Sequence, residues 1–449
     1  MKMQRADPTN AESAVEDTDS GGAESIVAEN PVFKPPLNVG IFLASLRPTA
    51  AAEQRFQGSI FDALAKANRP DFKLFVLTYE LPDETQASSS VTYVKLRASS
   101  GRVARAAALW AQLAGRYARS LISLFGGSGG AIDQATARWM RREPDHFQQL
   151  RDLNIRIIWN LSQKVLESPI PFTMVMWDVN HRIHSMYPEF SYARYGFDGC
   201  EANYPYLLAR ASYVLVGTEE GKRQLVDMYG VHAGKIHVTP FPTPRLPGAD
   251  VAGSGDRPPY IFYPARFWPH KNHVVIVAAL KILRERWGMR LRCVFSGADE
   301  GNLDYVLRVA EDLGVRDQIE YVGTVSEEQV GELYRHAFAL VYASAVGPDN
   351  LPPLEAMALS CPVLTADVPG AREQYGDAAL FFSPTDERAL AALLKTLKDD
   401  PDLRQSLIDR GRRRAADWTP EDYVDSVFDV LQEFALTARA WERCDSQFT

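Results

Sequence analysis

Two successive series of short apolar runs constrain the fold of this chain more than any other feature, because each run is followed by a stretch with helical spacing. In the first series the runs are LNVGIFLAS (37–45), FKLFVLTYE (72–80), IRIIWNL (155–161), PFTMVMWD (171–178) and SYVLVGT (212–218), closing on KIHVTPFPTP (235–244). The helical segments include RFQGSIFDALAKAN (55–68), an Ala- and Arg-rich stretch at 101–119, YPYLLARA (204–211) and EEGKRQLVDMYG (219–230). The second series runs PYIFYPARF (259–267), LRCVFSG (291–297), IEYVG (319–323), FALVYAS (338–344), PVLTAD (362–367) and AALFFSP (378–384), again with helices between. Continuous rather than alternating apolarity marks strands covered on both faces. Strands that alternate with helices predict parallel sheets with crossover connections.

Between the two series lies LPGADVAGSGDRPP (246–259), a Gly/Pro/Asp/Ser stretch without periodicity, as expected of a linker. The predicted organisation is therefore α/β, with two Rossmann-like domains facing a central cleft. Residues 1–36, rich in Ala, Glu, Ser, Asp and Pro, are expected to be disordered. An N-terminal acceptor domain is expected over 37–245, the linker over 246–259 and a second Rossmann-like domain over 260–419. A C-terminal helical segment, 420–449, is expected to fold back towards the first domain. Ligands of open parallel sheets sit beyond the carboxyl ends of the strands, so the chemistry is expected in strand-to-helix loops.

Composition removes several function classes. A formal net charge of -8 argues against nucleic acid as a partner, since such surfaces are basic. There is no apolar run of about 18 residues to span a bilayer. The polar, acidic start has no signal-peptide core. Cys200, Cys293, Cys361 and Cys444 are widely spaced and read as free thiols of a reducing compartment. The expected address is the cytoplasm, with peripheral contact at the inner face of the membrane as an additional expectation. That contact would use the helix bearing Arg102, Arg105, Arg116 and Arg119, for which a solvated face is the alternative.

Four segments of the second half carry chemistry. In GPDNLPPLEAMALSCPVLTADVPGAREQYGDAALFF (347–382), Glu355 stands at the start of a helix. One carboxylate there can accept two hydroxyl hydrogen bonds, or simply favour the positive end of its own helix. In YPARFWPHKNH (263–273), Arg266 follows a strand and Lys271 precedes a helix. Fixed cations at such a place can stabilise charge on a departing diphosphate without a metal, although solvated loop charges would look the same. VFSGADEGN (294–302) ends a strand on Ser296 and Gly297, and YVGTVSEEQ (321–329) offers Gly323, Thr324 and Val325. Small residues let backbone approach a ligand, and glycine is also an ordinary turn residue.

These segments resemble those of glycosyltransferase family 4, a family of retaining enzymes with the two-domain GT-B fold. The similarity is specific over 264–382 and looser over most of 37–436. It implies a nucleoside-diphosphate sugar donor, a glycan or lipid-linked glycan acceptor, no metal and no cofactor. The particular loop GPDNLPP resembles members active in bacterial surface-polysaccharide assembly. By that resemblance Glu355 would hold the donor ribose, and Arg266 and Lys271 the diphosphate. Ser296 and Gly297 would lie beside the phosphates, and Gly323, Thr324 and Val325 beside the base.

The chain departs from the family at three places. Relatives commonly carry two glutamates with seven residues between them, and the first position is Gly347 here. Asp349, Asn350 and the amide of Leu351 are then the expected sugar contacts, because Pro352 and Pro353 have no N–H to give. In MVMWDVNHRIHSMYPEF (174–190), Trp177 replaces the histidine of a His-Asp pair. Asp178 and His181 become the expected catalytic-side contacts, with an Asx turn and a structural histidine as the alternatives. The glycine-rich loop of relatives is represented by Thr49 and Ala50 to Ala52, and FGGSGG (125–130) is read as a flexible loop without the dinucleotide fingerprint.

The expected function is transfer of a hexose with retention of configuration. Alternatives are a sugar-nucleotide epimerase, a phosphorylase (no pyridoxal-phosphate lysine context is found) and a catalytically silent GT-B module that binds glycan.

Overall fold

The computed structural model describes residues 36–43, 52–80, 91–97, 146–191, 196–246 and 259–438. Expectations placed on residues 1–35, on Thr49 to Ala51, on 101–119 and 125–130, on 247–258 and on Cys444 lie outside these residues.

Two parallel sheets organise the molecule. The first contains β1 (Leu37–Leu43), β2 (Phe72–Thr78), β3 (Thr92–Lys95), β4 (Ile157–Asn160), β5 (Phe172–Val175), β6 (Tyr213–Val216) and β7 (Ile236–Val238). Their spatial order is β3-β2-β1-β4-β5-β6-β7. The second contains β8 (Tyr260–Pro264), β9 (Arg292–Ser296), β10 (Ile319–Tyr321), β11 (Ala339–Tyr342), β12 (Val363–Ala366) and β13 (Ala379–Phe382), in the order β10-β9-β8-β11-β12-β13. In each sheet the order reverses direction beside the first strand, between β1 and β4 and between β8 and β11. Such reversals open a crevice at the carboxyl ends of the strands.

The apolar runs form the central strands because helices cover both faces. All four residues of β4, β5, β11 and β12 are buried. Helix ends carry their own signals. Ser326 and Gln329 build a reciprocal capping box on the helix Glu327–His336. Gly288, left-handed, closes the helix His273–Trp287.

The last helix, Pro420–Ala438, belongs to the core of the first domain. Tyr423, Val427, Phe428 and Leu431 share one apolar cluster with Ile41, Phe56 and Trp159. At its start Glu421 pairs with Lys66 and Arg245, and Asp425 pairs with Arg69. The chain thus returns from the second domain to the first, and its last helix packs into the core of the first domain.

Candidate functional site

A cavity of about 560 Å3 lies between the two domains. Loops after β8, β9, β10 and β11 form one wall, and the helix Ala52–Lys66 and the loop after β5 contribute the other. It therefore sits at the switch point of the second sheet, where parallel sheets bind ligands.

The β8 and β9 ends are locked to one another. Ala265 donates its N–H to Ser296 O at 2.9 Å, and Phe267 donates to Ala298 O at 3.0 Å. Gly297 adopts φ 140°, and a Cβ there would come within 2.4 Å of the Ala265 carbonyl, so no other residue fits. Its N–H reaches Gly323 O at 2.9 Å, which places Thr324 and Val325 on the same wall. Arg266 lines the cavity with an exposed side chain, and its Nη1 pairs with Glu300 at 2.8 Å. Lys271 ends the short turn Pro269–Lys271. Its Nζ stands 3.4 Å from both the Tyr342 hydroxyl and Ser344 Oγ. These are long, weak bonds for an ammonium and leave most of its donor capacity to a ligand.

The loop 347–351 is fixed from within. Gly347 has φ 109°, a region that costs a residue with a side chain strain. A Cβ at this position would also come 3.1 Å from the Asn350 amide. Asn350 accepts from the Tyr342 hydroxyl at 2.8 Å and donates to Gly347 O at 3.0 Å. Its N–H goes to Gln374 at 3.0 Å, and its carbonyl accepts from Tyr375 at 2.7 Å. Asn350 lines the cavity, but its polar groups hold the loop. Asp349 points to the first domain beside Gly217 and Thr218, and burial, with Glu373 and Asp178 adding like charge, pushes its carboxyl well above the usual range. Leu351, 3% exposed, enters the cluster of Phe56, Phe241 and Tyr423.

Glu355 is fully buried on the helix Pro352–Ala358. Arg55, from the opposite domain, reaches its Oε1 with Nε at 2.8 Å and Nη2 at 2.7 Å. The Tyr334 hydroxyl donates to Oε2 at 3.1 Å. Burial works against the Arg55 charge, yet Glu355 outweighs it and holds the guanidinium above its ordinary pKa. Arg55 lines the cavity and Glu355 stands behind it. The expected ribose contact is thus engaged in a cross-domain ion pair.

On the first domain, Asp178 lines the cavity and its Oδ1 accepts from the Asn180 N–H at 3.0 Å, an Asx turn. Burial raises its pKa, while the Asn180 bond, His181 and Lys271 oppose that shift. His181 is not part of the cavity wall. It is buried, with Nε2 2.9 Å from Glu201 and 2.8 Å from the Tyr229 hydroxyl. Desolvation lowers its pKa, and Arg182 holds Glu201 down to about 2. The structure places His181 in a polar cluster inside the first domain, so its expected sugar contact is not reproduced by this geometry.

Of the residues singled out from the sequence, Asp178, Arg266, Lys271, Ser296, Gly297, Thr324, Val325, Asp349, Asn350 and Leu351 meet around one cavity. Gly323 and Gly347 hold its loops from behind. Arg55 and Glu300 escaped the sequence reading. Arg55 sits three residues beyond the small-residue segment, and Glu300 lies inside the quoted VFSGADEGN. Their only signal was a charge next to a cleft loop. No group of three or more His, Cys, Asp or Glu is placed to hold a metal among the described residues.

Two facing Rossmann-like domains with a cleft at the switch point define the GT-B fold. Residues 250–414 match the family described as glycosyl transferases group 1. The chain is similar to the O-antigen chain mannosyltransferase RfbU of Salmonella typhimurium, 27% identical over 43% of this chain and 53% of that protein. It is also similar to O-antigen chain mannosyltransferase B of Escherichia coli, 33% identical over 50% of this chain and 61% of that one. The matches thus span between half and two thirds of these relatives. Among solved structures, Anabaena Alr3699/HepE in complex with UDP-glucose aligns over 88% of this chain and 100% of its own, with a TM-score of 0.60 and 13% identity. WaaG, a glycosyltransferase involved in lipopolysaccharide biosynthesis, aligns over 87% and 99%, with a TM-score of 0.56 and 16% identity. These two share the fold.

Proposed function

We propose that this chain is a retaining, metal-independent hexosyltransferase. It moves a sugar from a nucleoside-diphosphate donor to a glycan or lipid-linked glycan, in polysaccharide assembly at the cytoplasmic face of a membrane. The observation that carries this is the pairing of Arg266 and Lys271 on one wall of the interdomain cavity, with Asp178 on the other. As the bond from the anomeric carbon to the diphosphate oxygen breaks, negative charge grows on the leaving group, and two fixed cations meet it. The acceptor oxygen forms the new bond on the same face, and its proton passes to the departing diphosphate. No protein nucleophile is needed. The mannosyltransferase names of the relatives and the sugar nucleotide in one structural neighbour support this reading.

A second reading, a silent glycan-binding module, is favoured by one feature: Gly347 supplies no carboxylate at a position where the family this chain resembles commonly carries a glutamate. Release of nucleoside diphosphate, measured over a panel of UDP-, GDP-, ADP- and dTDP-sugars, separates the two. Turnover of any donor with a glycan acceptor supports transfer. No binding and no turnover across the panel would sink it. Calorimetry on Glu355→Gln tests the donor site itself, because unchanged nucleoside-diphosphate affinity would remove Glu355 from it.

A further inference from the structure

We infer that Gln163 binds a sugar from the first-domain wall of the cavity, donating a side-chain amide N–H to one of its hydroxyl oxygens, with Tyr204 as the positioning residue. This role rests on glycosyl transfer at the cavity, and Gln163 lies outside the motifs that carry the family resemblance.

Topology puts Gln163 where a parallel sheet binds. The order of the first sheet reverses between β1 and β4, and Gln163 stands three residues beyond Asn160, the last of β4. Ligands gather beyond the carboxyl ends of strands at such a reversal. Gln163 is half-buried and lines the interdomain cavity. Arg266 and Lys271 reach the same cavity from the reversal of the second sheet, so the two switch points share one space. The other first-domain residues on the wall are Arg55, Trp177 and Asp178. Arg55 is bound to Glu355, Asp178 accepts from the Asn180 N–H, and the Trp177 ring packs on Phe56 and Phe241.

The loop beneath Gln163 is fixed before any ligand arrives. Leu166 donates its N–H to Asn160 Oδ1 at 3.0 Å, and Asn160 donates in turn to Thr173 O on β5 at 2.8 Å. Lys164 donates its N–H to Ser162 Oγ at 3.1 Å. Tyr204, on the helix Phe197–Arg210, orients the side chain itself, because its hydroxyl donates to Gln163 Oε1 at 3.1 Å. Burial holds the Tyr204 phenol well above its ordinary pKa, so it keeps its proton and stays a donor. The His181 ring packs edge-on against Tyr204 at 5.4 Å, which makes the polar cluster behind the wall its support. With the amide oxygen turned to Tyr204, the NH2 group has two hydrogens to place. One meets Met176 Sδ at 3.2 Å, a weak acceptor. The other has no partner among the described residues. A neutral, oriented N–H suits a sugar hydroxyl oxygen, whereas the cations of the facing wall suit phosphate.

The sugar is the one carried by the donor or the one at the acceptor, and two titrations on the full chain separate them. In the first, calorimetry compares UDP, GDP, ADP and dTDP with UDP-glucose, GDP-mannose, ADP-glucose and dTDP-glucose. In the second, methyl glycosides of glucose, galactose and mannose are titrated, with saturation-transfer NMR, into the chain saturated with UDP or GDP. Gln163→Met keeps the length and removes the amide. It is expected to reduce the affinity for the sugar by about 5-fold in one of the two titrations, the scale of one neutral hydrogen bond, with nucleoside-diphosphate affinity unchanged. A loss in the first assigns the hydroxyl to the transferred sugar, and a loss in the second to the acceptor. Tyr204→Phe should lose less in the same titration, since the amide stays but is no longer oriented; no loss there removes the positioning role of Tyr204. Circular dichroism and thermal melts establish that each variant folds, and comparing nucleotide with sugar nucleotide within one variant is independent of its stability. No loss for Gln163→Met in either titration refutes the sugar contact. An equal loss for nucleotide and sugar nucleotide refutes it too, because Gln163 then serves the nucleotide or the fold. If no sugar nucleotide of the set binds the wild type, the proposed transfer fails and the role of Gln163 falls with it.

Discussion

Glu189 of the first domain accepts two hydrogen bonds from His270 of the second, one from its N–H at 2.9 Å and one from its ring Nδ1. His270 directly precedes Lys271, so this contact fixes the cation-bearing turn from across the cleft. Both groups are buried. Burial, aided by the charge of Lys271, lowers the His270 pKa to about 4 against the opposing pull of Glu189. Burial alone would raise the Glu189 carboxyl, but the bonds from His270 hold it below the usual range.

The sign of the resulting pH dependence follows. An imidazole with a native pKa near 4 binds fewer protons when folded than the unfolded chain does at an ordinary pKa of about 6.5. Stability is therefore lost as pH falls between those values. A lowered Glu189 pKa acts in the same direction, and so does His273, lowered to about 3 by burial. Thermal melts from pH 7.5 down to 4.5 should show a falling Tm, and His270→Asn should flatten the decline. An identical slope in that variant would remove His270 from the explanation.

Transfer should survive chelation. In the proposed function Arg266 and Lys271 serve the diphosphate, and no group of three or more His, Cys, Asp or Glu is placed to hold a metal among the described residues. Full activity in excess EDTA is the expected result. Loss of activity restored by magnesium or manganese would contradict it.

Leu351 joins the loop 347–351 to the first-domain core, buried at 3% among Phe56, Phe241 and Tyr423. Leu351→Ala should cost about 2–5 kcal/mol in chemical denaturation, as for other buried leucines. Leu351→Met, nearly volume-conserving, should cost less than about 1.5 kcal/mol. Equal stability of the alanine variant and the wild type would show that the loop does not dock as described.

Much of the fold was legible because its central strands are apolar from end to end, as in β4 and β11. What was missed lacks that signal. The strand Thr92–Lys95 is an edge with no fully buried residue. The helix Pro401–Ala416 buries only Leu407, Ile408 and Gly411 among many charges, so periodicity could not mark it. In the site, Arg266 and Lys271 were legible from their places after a strand and before a helix. Arg55 was not, because its partner lies 300 positions away in sequence. His181 shows a related limit. A histidine beside a strand end reads the same whether it faces the cleft or, as here, turns inward to Glu201 and Tyr229. Asn350 shows a further limit, since a sequence names a polar side chain but not the bonds that already occupy it.

Lys271 should matter more to turnover than to binding. Lys271 lines the cavity, and its Nζ makes only long contacts, at 3.4 Å, to the neutral hydroxyls of Tyr342 and Ser344. Arg266 is the second cation, and Glu300 shares its charge at 2.8 Å. Charge on the leaving diphosphate is larger in the transition state than in the bound donor, so a fixed cation stabilises the former more. Lys271→Ala should therefore lower kcat by about 100-fold or more, the scale of one preorganised charge-stabilising group, with a smaller change in donor affinity. Arg266→Ala should act in the same direction and more weakly, because Glu300 already offsets part of its field. The double variant should lose less than the product of the single losses, since both cations address one diphosphate. Steady-state kinetics and calorimetric donor affinity on the three variants, each checked by circular dichroism, decide the matter. Near-normal kcat in Lys271→Ala would mean that the cation is a solvated loop charge and that the leaving group is stabilised elsewhere.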